Sequence, residues 1–220
     1  MRFFKINRKL NFKYIIGEIL LLFIGINLAI WFNNWNASKK TNEDKGIALS
    51  KIIEEMDNNR LEVDSILVNN QNILKAYRDY KGFYDGNTSV VKMNPKQFSL
   101  LKKMHPDFFR VKDSTATDSG LVRYHGTTYV NLEITTLTEI AWNTTTTLNV
   151  SNEFNYECLY ELESLYNLQR RVQNEIDKSA DALQKRELED LMNVLEFVEQ
   201  LGSQLQESYL TMLKNINNCI

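Results

Sequence analysis

Glycine and proline are scarce in this sequence, which has 8 Gly and 2 Pro among 220 residues. A turn-rich β fold uses many more of both, because glycine supplies the positive φ of tight turns and proline fixes turn geometry. Their scarcity favours long uninterrupted helices. The sequence therefore predicts a mainly α protein, an elongated helical bundle with one small irregular or β-hairpin insertion.

Histidine and cysteine are scarcer still, with 2 of each. His105 and His125 have no metal partners at ligand spacing, and the chain has no cysteine pair at such spacing. It also has no Gly-rich phosphate loop, nucleophile elbow or zincin motif. We expect no enzymatic activity, no cofactor and no metal, and we interpret both histidines as surface residues of loops.

A large excess of charge of one sign is also lacking, because the formal net charge is only -2. No basic block occurs beyond the N-terminal flank, so we expect no nucleic-acid binding. Acidic clusters on presumed helices are interpreted as solvated faces. These clusters are Glu54, Glu55 and Asp57, and Glu187, Glu189 and Asp190.

One long apolar run is present, from Tyr14 to Phe32, and Glu18 and Asn27 are its strongly polar members. A helix of this length spans about 28 Å, close to the hydrocarbon core of a bilayer. Aromatic residues lie at both ends, as in an interfacial belt. The sequence predicts a single transmembrane helix over residues 14–34.

The charges that flank this run predict its orientation. Arg2, Lys5, Arg8, Lys9 and Lys13 precede it without an acidic residue. By the positive-inside rule, residues 1–13 are cytoplasmic and residues 35–220 are periplasmic. A cleaved signal peptide fits less well, because the run is too long and ends in bulky aromatics. We expect an uncleaved signal anchor.

The segment from Tyr14 to Asn36, with IGE, then IGI, then NNWN, resembles the N-terminal signature of a family of uncharacterised single-pass proteins common in Bacteroidota. A second likeness covers Thr135 to Gln169, which in that family resembles two helices separated by a tight turn. The resemblance implies a bacterial inner membrane and a periplasmic helical domain. It implies no activity.

Within the predicted span, Glu18, Leu22, Gly25, Ala29 and Phe32 lie within about 40° of one line on a helix. We name these five residues the span stripe. Gly25 and Ala29 form a small-xxx-small pair, which favours close helix–helix contact. Asn27 lies about 180° from Glu18. Two polar faces predict protein on both sides of the span, although Glu18 alone is also compatible with snorkelling to the headgroups.

A heptad-like seam follows the span and predicts a long stalk helix over residues 43–83. The seam consists of Leu49, Ile52, Met56, Asn59, Val63, Ile66, Asn70, Ile73, Tyr77, Tyr80 and Tyr84. Asn59 and Asn70 occupy core positions. They either fix the register of an intermolecular coiled coil or lie at the wet edge of an intramolecular bundle.

The remaining chain divides by composition. Residues 85–130 hold both prolines and three glycines, and predict an insertion with a helix start at Asn94 and a small hairpin. Helices are expected over residues 132–148, 153–183 and 186–217, packed back on the stalk as an antiparallel bundle. The aromatic set Tyr77, Tyr80, Phe83 and Tyr84, and likewise Trp142, are interpreted as core rather than as a binding pocket.

If the last two helices form a hairpin that turns near Lys185, Cys158 and Cys219 fall near the same end of it. A disulfide is then geometrically conceivable, and two separate, partly buried thiols are equally compatible with the sequence.

Three function classes follow from these observations. The first is a non-enzymatic scaffold or subunit of an inner-membrane protein assembly, with other subunits or a second copy as partner. The second is a ligand-sensing module that uses residues 85–130. The third is an ion- or proton-linked oligomeric membrane subunit that uses Glu18.

Overall fold

The computed structural model describes residues 12–219. Its first element, α1 (Phe12–Lys81), is one helix of 70 residues, so the predicted span and the predicted stalk are a single element. Both prolines of the chain lie beyond it. At 1.5 Å per residue α1 is about 105 Å long. Residues 1–11, which hold most of the predicted cytoplasmic flank, lie outside the described residues.

The C-terminal half of α1 belongs to a bundle with two other long helices, α4 (Tyr156–Lys185) and α5 (Leu188–Asn215). Helix α5 runs antiparallel to α1, because Lys81 pairs with Glu189 near one end and Gln206 donates to Asp64 nearer the other. All seam residues from Leu49 to Tyr80 are buried. The mainly α fold and the antiparallel bundle are therefore confirmed, and the seam is covered by the chain's own helices.

A sharp turn separates α4 from α5. Arg186 adopts the left-handed conformation with φ 61°, and its N–H bonds the carbonyl oxygens of Ala182 and Leu183. This is the geometry that commonly ends helices at glycine. The sequence has no glycine or proline here and did not exclude one very long helix, but the two predicted helices are the ones observed.

The insertion between α1 and α4 begins with a small antiparallel sheet of four strands. They are β1 (Tyr84–Asp85), β2 (Asn87–Met93), β3 (Phe109–Ala116) and β4 (Val122–Thr128), in the order β1-β2-β4-β3. Helix α2 (Pro95–Met104) lies between β2 and β3, and Asn94 caps it by accepting from the N–H of Lys96. The predicted hairpin and the predicted helix start are confirmed, whereas β1 and β2 were not expected.

The sheet packs on the distal end of α1, away from the apolar run. Tyr80 is fully buried there, with the rings of Phe108 and Phe109 at 5.4 and 6.1 Å. Gly126 is required in β4, because a Cβ at this position would lie 2.3 Å from the carbonyl oxygen of Arg110. Tyr77 and Tyr80 are thus core, as expected, and Phe83 and Tyr84, which lie just beyond α1, are partly buried against the same cluster.

The helix predicted over residues 132–148 is wrong for its first half. Residues 129–139 contain neither helix nor strand, and we name them the linking segment. Helix α3 spans only Ile140–Thr147, followed by a 3-10 helix at Val150–Glu153. Threonine-rich sequence has low helix propensity. In addition, the backbone of this segment bonds side chains of α1 and α4 instead of itself.

Candidate functional site

The N-terminal part of α1 is the most conspicuous surface of the molecule. Among the described residues, α1 is the one helix long and apolar enough to cross a membrane, although a signal sequence would share that character. Its large apolar side chains from Ile16 to Trp35 stand away from the bundle, with Leu21 74% exposed. A continuous apolar surface of this size marks a membrane or protein contact. The chain therefore has the form of a membrane-anchored helical protein.

The span stripe lies on one open side of this helix. Glu18, Leu22, Gly25 and Ala29 line a shallow depression together with Gly17, Leu21 and Ile26. A Cβ placed on Gly25 would meet no atom within 4 Å. The floor of this depression is backbone and small side chains, the composition found where transmembrane helices pack closely.

Asn27 does not behave as the sequence suggested. Its Nδ2 donates to the carbonyl oxygen of Phe23, one turn earlier in the same helix, at 2.7 Å. A polar side chain that bonds its own helix is less costly against lipid than an unsatisfied one. Asn27 thus has a hydrogen-bond partner within α1, and protein contact on its side of the span stays a prediction.

Farther along α1, beyond the apolar run, Asn59 lies in the centre of a buried hydrogen-bond network. It is 2% exposed, its Nδ2 donates to the carbonyl oxygen of Thr138 at 2.7 Å, and its Oδ1 accepts from the N–H of Thr138 at 2.9 Å. Gln169 of α4 donates to the same carbonyl at 2.9 Å and accepts from the Tyr209 hydroxyl at 2.6 Å. Asn59 is therefore neither an intermolecular register residue nor a wet edge.

The rest of the linking segment is held in the same manner. Gln173 of α4 accepts from the N–H of Leu137 and donates to the carbonyl oxygen of Thr135. Successive α1 residues bond the segment along its length, and it runs antiparallel to the helix. They are Asn69 to Asn131, Ser65 to Glu133, Glu62 to Thr135 and Asn59 to Thr138. Side-chain amides here replace the backbone partners that a helix or sheet would supply.

Glu55 is the second residue that the sequence analysis misplaced. It is 7% exposed, not solvated, and its carboxylate accepts from the N–H groups of Ala141 and Trp142 at 2.8 and 3.3 Å. These are N–H groups of the first turn of α3, which has no side-chain cap of its own. Glu55 thus caps α3 from another helix, where a negative charge also favours the helix dipole.

Tyr166 completes this cap. Its hydroxyl donates to Glu55 at 2.8 Å, and its ring stacks on Trp142 with centroids 5.4 Å apart. Burial, together with the neighbouring Glu55 carboxylate, raises the pKa of the Tyr166 phenol far above its ordinary value. Tyr166 therefore stays protonated and acts as a structural donor. Trp142 is the packing anchor that the sequence predicted.

The other polar seam position, Asn70, is also buried, at 1% exposed. Its Oδ1 and the hydroxyl of Tyr80 are buried atoms without a hydrogen-bond partner. Burial raises the pKa of Tyr80 to about 12. Unpaired buried polar atoms are destabilising, so these two oxygen atoms add no hydrogen bond to the bundle.

Cys158 and Cys219 form a disulfide, with Cα atoms 5.2 Å apart. Both are buried, and the bond joins the first turn of α4 to the end of the chain beyond α5. The antiparallel pairing of α4 and α5 is what brings these two positions together. The sequence was compatible with a disulfide or with two separate thiols, and the structure has the disulfide.

The histidines lie apart from each other and from any metal-like cluster. His105 Nε2 lies 2.7 Å from an Asp79 carboxylate oxygen and joins the end of α2 to α1, so it is not a surface residue. His125, by contrast, makes an exposed contact at 3.3 Å with Thr115. Within residues 12–219, no group of three His, Cys, Asp or Glu side chains is placed to hold a metal.

A groove lies between α1 and α3. It encloses about 720 Å³ and is lined by Ile47, Ile140 and Leu148, which are 63%, 72% and 67% exposed. Lys51 and Glu54 stand beside it and pair with each other at 2.7 Å. This groove could not be predicted, because the sequence predicts Ile140 and Leu148 within one longer helix.

Comparison with known proteins adds no further constraint, since no protein-family model, curated protein or solved structure matches the chain.

Proposed function

We propose that this protein is a non-enzymatic, membrane-anchored helical subunit or scaffold of a membrane protein assembly. The observation that carries the proposal is α1 itself. One uninterrupted helix joins an exposed apolar run, with an open stripe of Glu18, Gly25 and Ala29, to a bundle packed on its other end. Such a helix holds a domain at a fixed distance from the bilayer and presents a contact surface within it.

The interior of the bundle supports a structural role over a catalytic one. Three of its buried polar side chains, Glu55, Asn59 and Gln169, bond the linking segment and the first turn of α3. A general acid or base must instead reach a substrate. The network therefore serves to fix one arrangement of the insertion against α1 and α4.

The compartment is part of the same proposal. We place the N-terminus in the cytoplasm and the bundle in the periplasm of a bacterial inner membrane, as the basic flank and the family resemblance imply. The Cys158–Cys219 disulfide supports an oxidising compartment for the bundle. A C-terminal alkaline phosphatase fusion should be active in cells, and a C-terminal fusion to an ordinary fluorescent protein should be dark. The reverse result contradicts the orientation.

The contact surface is tested by co-purification of the tagged full chain from membranes. Gly25→Leu fills the floor of the stripe and should reduce the co-purifying protein, whether a second copy or another subunit. The matched control is Ile30→Phe, which adds bulk at a similar depth but about 140° around the helix. If Gly25→Leu retains the same partners in the same amounts as the wild type, the stripe is not the contact.

Glu18 separates the assembly role from ion or proton transfer. Glu18→Gln keeps hydrogen-bonding capacity and removes the charge, so an assembly element should retain its partners and function. If Glu18→Gln retains its partners but function is lost, the proton-linked alternative replaces the scaffold role. Glu18 and Gly25 are both exposed positions of α1, so neither substitution disturbs the bundle core.

A further inference from the structure

The buried apolar interior of the bundle consists of two clusters rather than one. The first, which we name the anchor-side cluster, follows α1 from Leu49 to Leu67 and includes both cysteines. The second, which we name the sheet-side cluster, begins on α1 at Ile73 and includes the buried apolar residues of the sheet and of α2. Helices α1, α4 and α5 each contribute to both clusters. The boundary between the clusters therefore crosses the bundle and does not divide the sequence into two parts.

Buried polar side chains lie at this boundary. On α1, Asn70 is the seam residue between the two clusters, and it is 1% exposed. On α4, Ser179 is also buried and lies between Ile176 of the anchor-side cluster and Ala182 of the sheet-side cluster. Two of the three long helices thus have a buried polar residue where one cluster ends and the other begins.

These two polar residues lie at the same level of the bundle. Helix α4 runs parallel to α1, because each of them is antiparallel to α5. The side-chain amides of Asn59 and Gln169 are in contact at 3.2 Å, and these residues are 110 positions apart in the sequence. The same separation places Ser179 within about 3 Å of the level of Asn70 along the helix axis. We name this level the Asn70 layer.

The side-chain oxygen atoms of the Asn70 layer do not join its helices. The Ser179 hydroxyl donates to the carbonyl oxygen of Ile176, in its own helix, at 2.6 Å. Among the described residues, Asn70 Oδ1 is a buried atom without a hydrogen-bond partner. Because a buried polar atom without a partner costs free energy, the layer is destabilising where the apolar clusters on either side of it are stabilising.

Asn59, in the same seam, shows how a polar core position is held when its partners are supplied. Its amide bonds the N–H and the carbonyl oxygen of Thr138 and contacts Gln169 of α4. A satisfied network of this kind makes one arrangement of the helices rigid. The Asn70 layer has neither such a network at Asn70 Oδ1 nor the apolar contacts of the two clusters, so the bundle is weakest there.

Stronger constraints lie on the anchor side of the layer. The Cys158–Cys219 disulfide belongs to the anchor-side cluster, and Glu55 caps α3 on the same side. On the sheet side, the ion pair between Lys81 and Glu189 is exposed, with its atoms 3.6 Å apart. Exposed ion pairs contribute little to stability. The end of the bundle that bears the sheet is therefore the less constrained of the two.

We propose that the bundle consists of two cooperative units that meet at the Asn70 layer, and that the sheet-side unit opens while the anchor-side unit stays folded. Proteins open locally in such units, and the elements that move in function come from the less stable ones. The sheet, α2 and the turn between α4 and α5 can then change their packing while the disulfide-closed base keeps its arrangement on the anchor. This inference does not depend on the proposed assembly role.

Hydrogen exchange of the full chain in nanodiscs, followed by mass spectrometry at increasing urea concentration, tests the proposal. Residues 188–196 of α5 report the sheet-side unit, and residues 203–212 of the same helix report the anchor-side unit. The slowest amides of the first segment should exchange at least about tenfold faster than those of the second, because they require only the local opening. If both segments exchange at the same rate with the same dependence on urea, the bundle is one cooperative unit and the proposal is wrong.

A substitution in the layer gives a second readout. Asn70→Leu replaces the unpaired amide with an apolar side chain and connects the two clusters, so exchange in residues 188–196 should slow by roughly tenfold. The matched control is Asn72→Leu, the same change at an exposed position of α1, which should leave this rate within about twofold of the wild type. Faster exchange in Asn70→Leu would show that Asn70 holds the helices together, and would contradict the proposal.

Reduction of the disulfide tests the independence of the two units without any substitution. While the anchor-side unit is folded, it already holds Cys158 and Cys219 together, so the disulfide does not affect the opening of the sheet-side unit. Full reduction should therefore accelerate exchange in residues 203–212 by at least about tenfold and leave the rate in residues 188–196 within about twofold. Equal acceleration of both segments would show a single cooperative unit and overturn the proposal.

Discussion

At the scale of single residues, neighbouring positions of α1 have opposite fates. Glu54 is exposed and pairs with Lys51, whereas Glu55 is buried and caps α3. From the sequence alone, both glutamates were predicted to belong to one exposed acidic cluster. The distinction depends on residues more than eighty positions away, so no local pattern carries it.

This pair gives a matched stability test. Glu55→Gln removes a carboxylate oxygen and faces a buried N–H of α3 with an amide donor, so it should lower the free energy of unfolding by roughly 1–3 kcal/mol. Glu54→Gln changes only an exposed ion pair and should leave the unfolding midpoint where it is. Urea unfolding of the detergent-solubilised chain, followed by circular dichroism, compares the two. Equal midpoints would remove the capping role of Glu55.

Two buried tyrosines form a second matched pair, because one hydroxyl is bonded and the other is not. Tyr166→Phe removes the hydrogen bond to Glu55 and should cost about 1–2 kcal/mol. Tyr80→Phe removes a buried hydroxyl without a partner and should be neutral or stabilising at pH 7. The same unfolding measurement decides, and a larger loss for Tyr80→Phe would contradict the assignment.

The raised pKa of Tyr80 also predicts that the free energy of unfolding falls at alkaline pH. Burial raises its pKa from 10.0 to about 12, so the unfolded chain loses this proton before the folded chain does. Below pH 10 the phenol is protonated in both states and the shift does not affect stability, whereas the free energy of unfolding decreases as the pH rises from about 10 to about 12. The decline should be shallower for Tyr80→Phe than for the wild type in unfolding curves taken across this range. Parallel declines would show that Tyr80 is not the titrating group.

At the scale of elements, the long helices could be predicted and their partners could not. The spacing from Leu49 to Tyr80 identified the buried face of α1 because apolar periodicity reports burial directly. The same method failed at Leu137 and Leu148, where the first lies in the linking segment and the second is exposed. Asn59, Gln169 and Gln173 bond the backbone of the linking segment, and such bonds produce no periodic pattern in the sequence.

The disulfide closes the C-terminal hairpin and should show its effect at that element. It joins residues 61 apart, and a loop of this size stabilises by about 4 kcal/mol in the chain-entropy account. Reduction should lower the unfolding midpoint and increase hydrogen exchange at Ile216–Cys219 first. The control is Cys158→Ala with Cys219→Ala, whose midpoint should not respond to reductant. An unchanged wild-type midpoint after full reduction would contradict the predicted stabilisation.

At the scale of the whole molecule, the proposed function depends on one property of α1, its continuity from the apolar run to the sheet. Continuity sets the distance of the bundle from the bilayer. A break in α1 would cost the least free energy at Gly46 or within the polar residues from Asn33 to Lys40. Glycine and asparagine have the lowest helix propensities within this stretch.

A single distance measurement tests this continuity most directly. Spin labels at Phe32→Cys and Val68→Cys, both exposed positions of α1, bracket that stretch. For the full chain in nanodiscs, diluted with unlabelled protein, a continuous helix predicts one narrow distribution near 54 Å, from 36 residues at about 1.5 Å each. A broad distribution, or a mean well below this distance, would show a hinge between anchor and bundle and contradict the account.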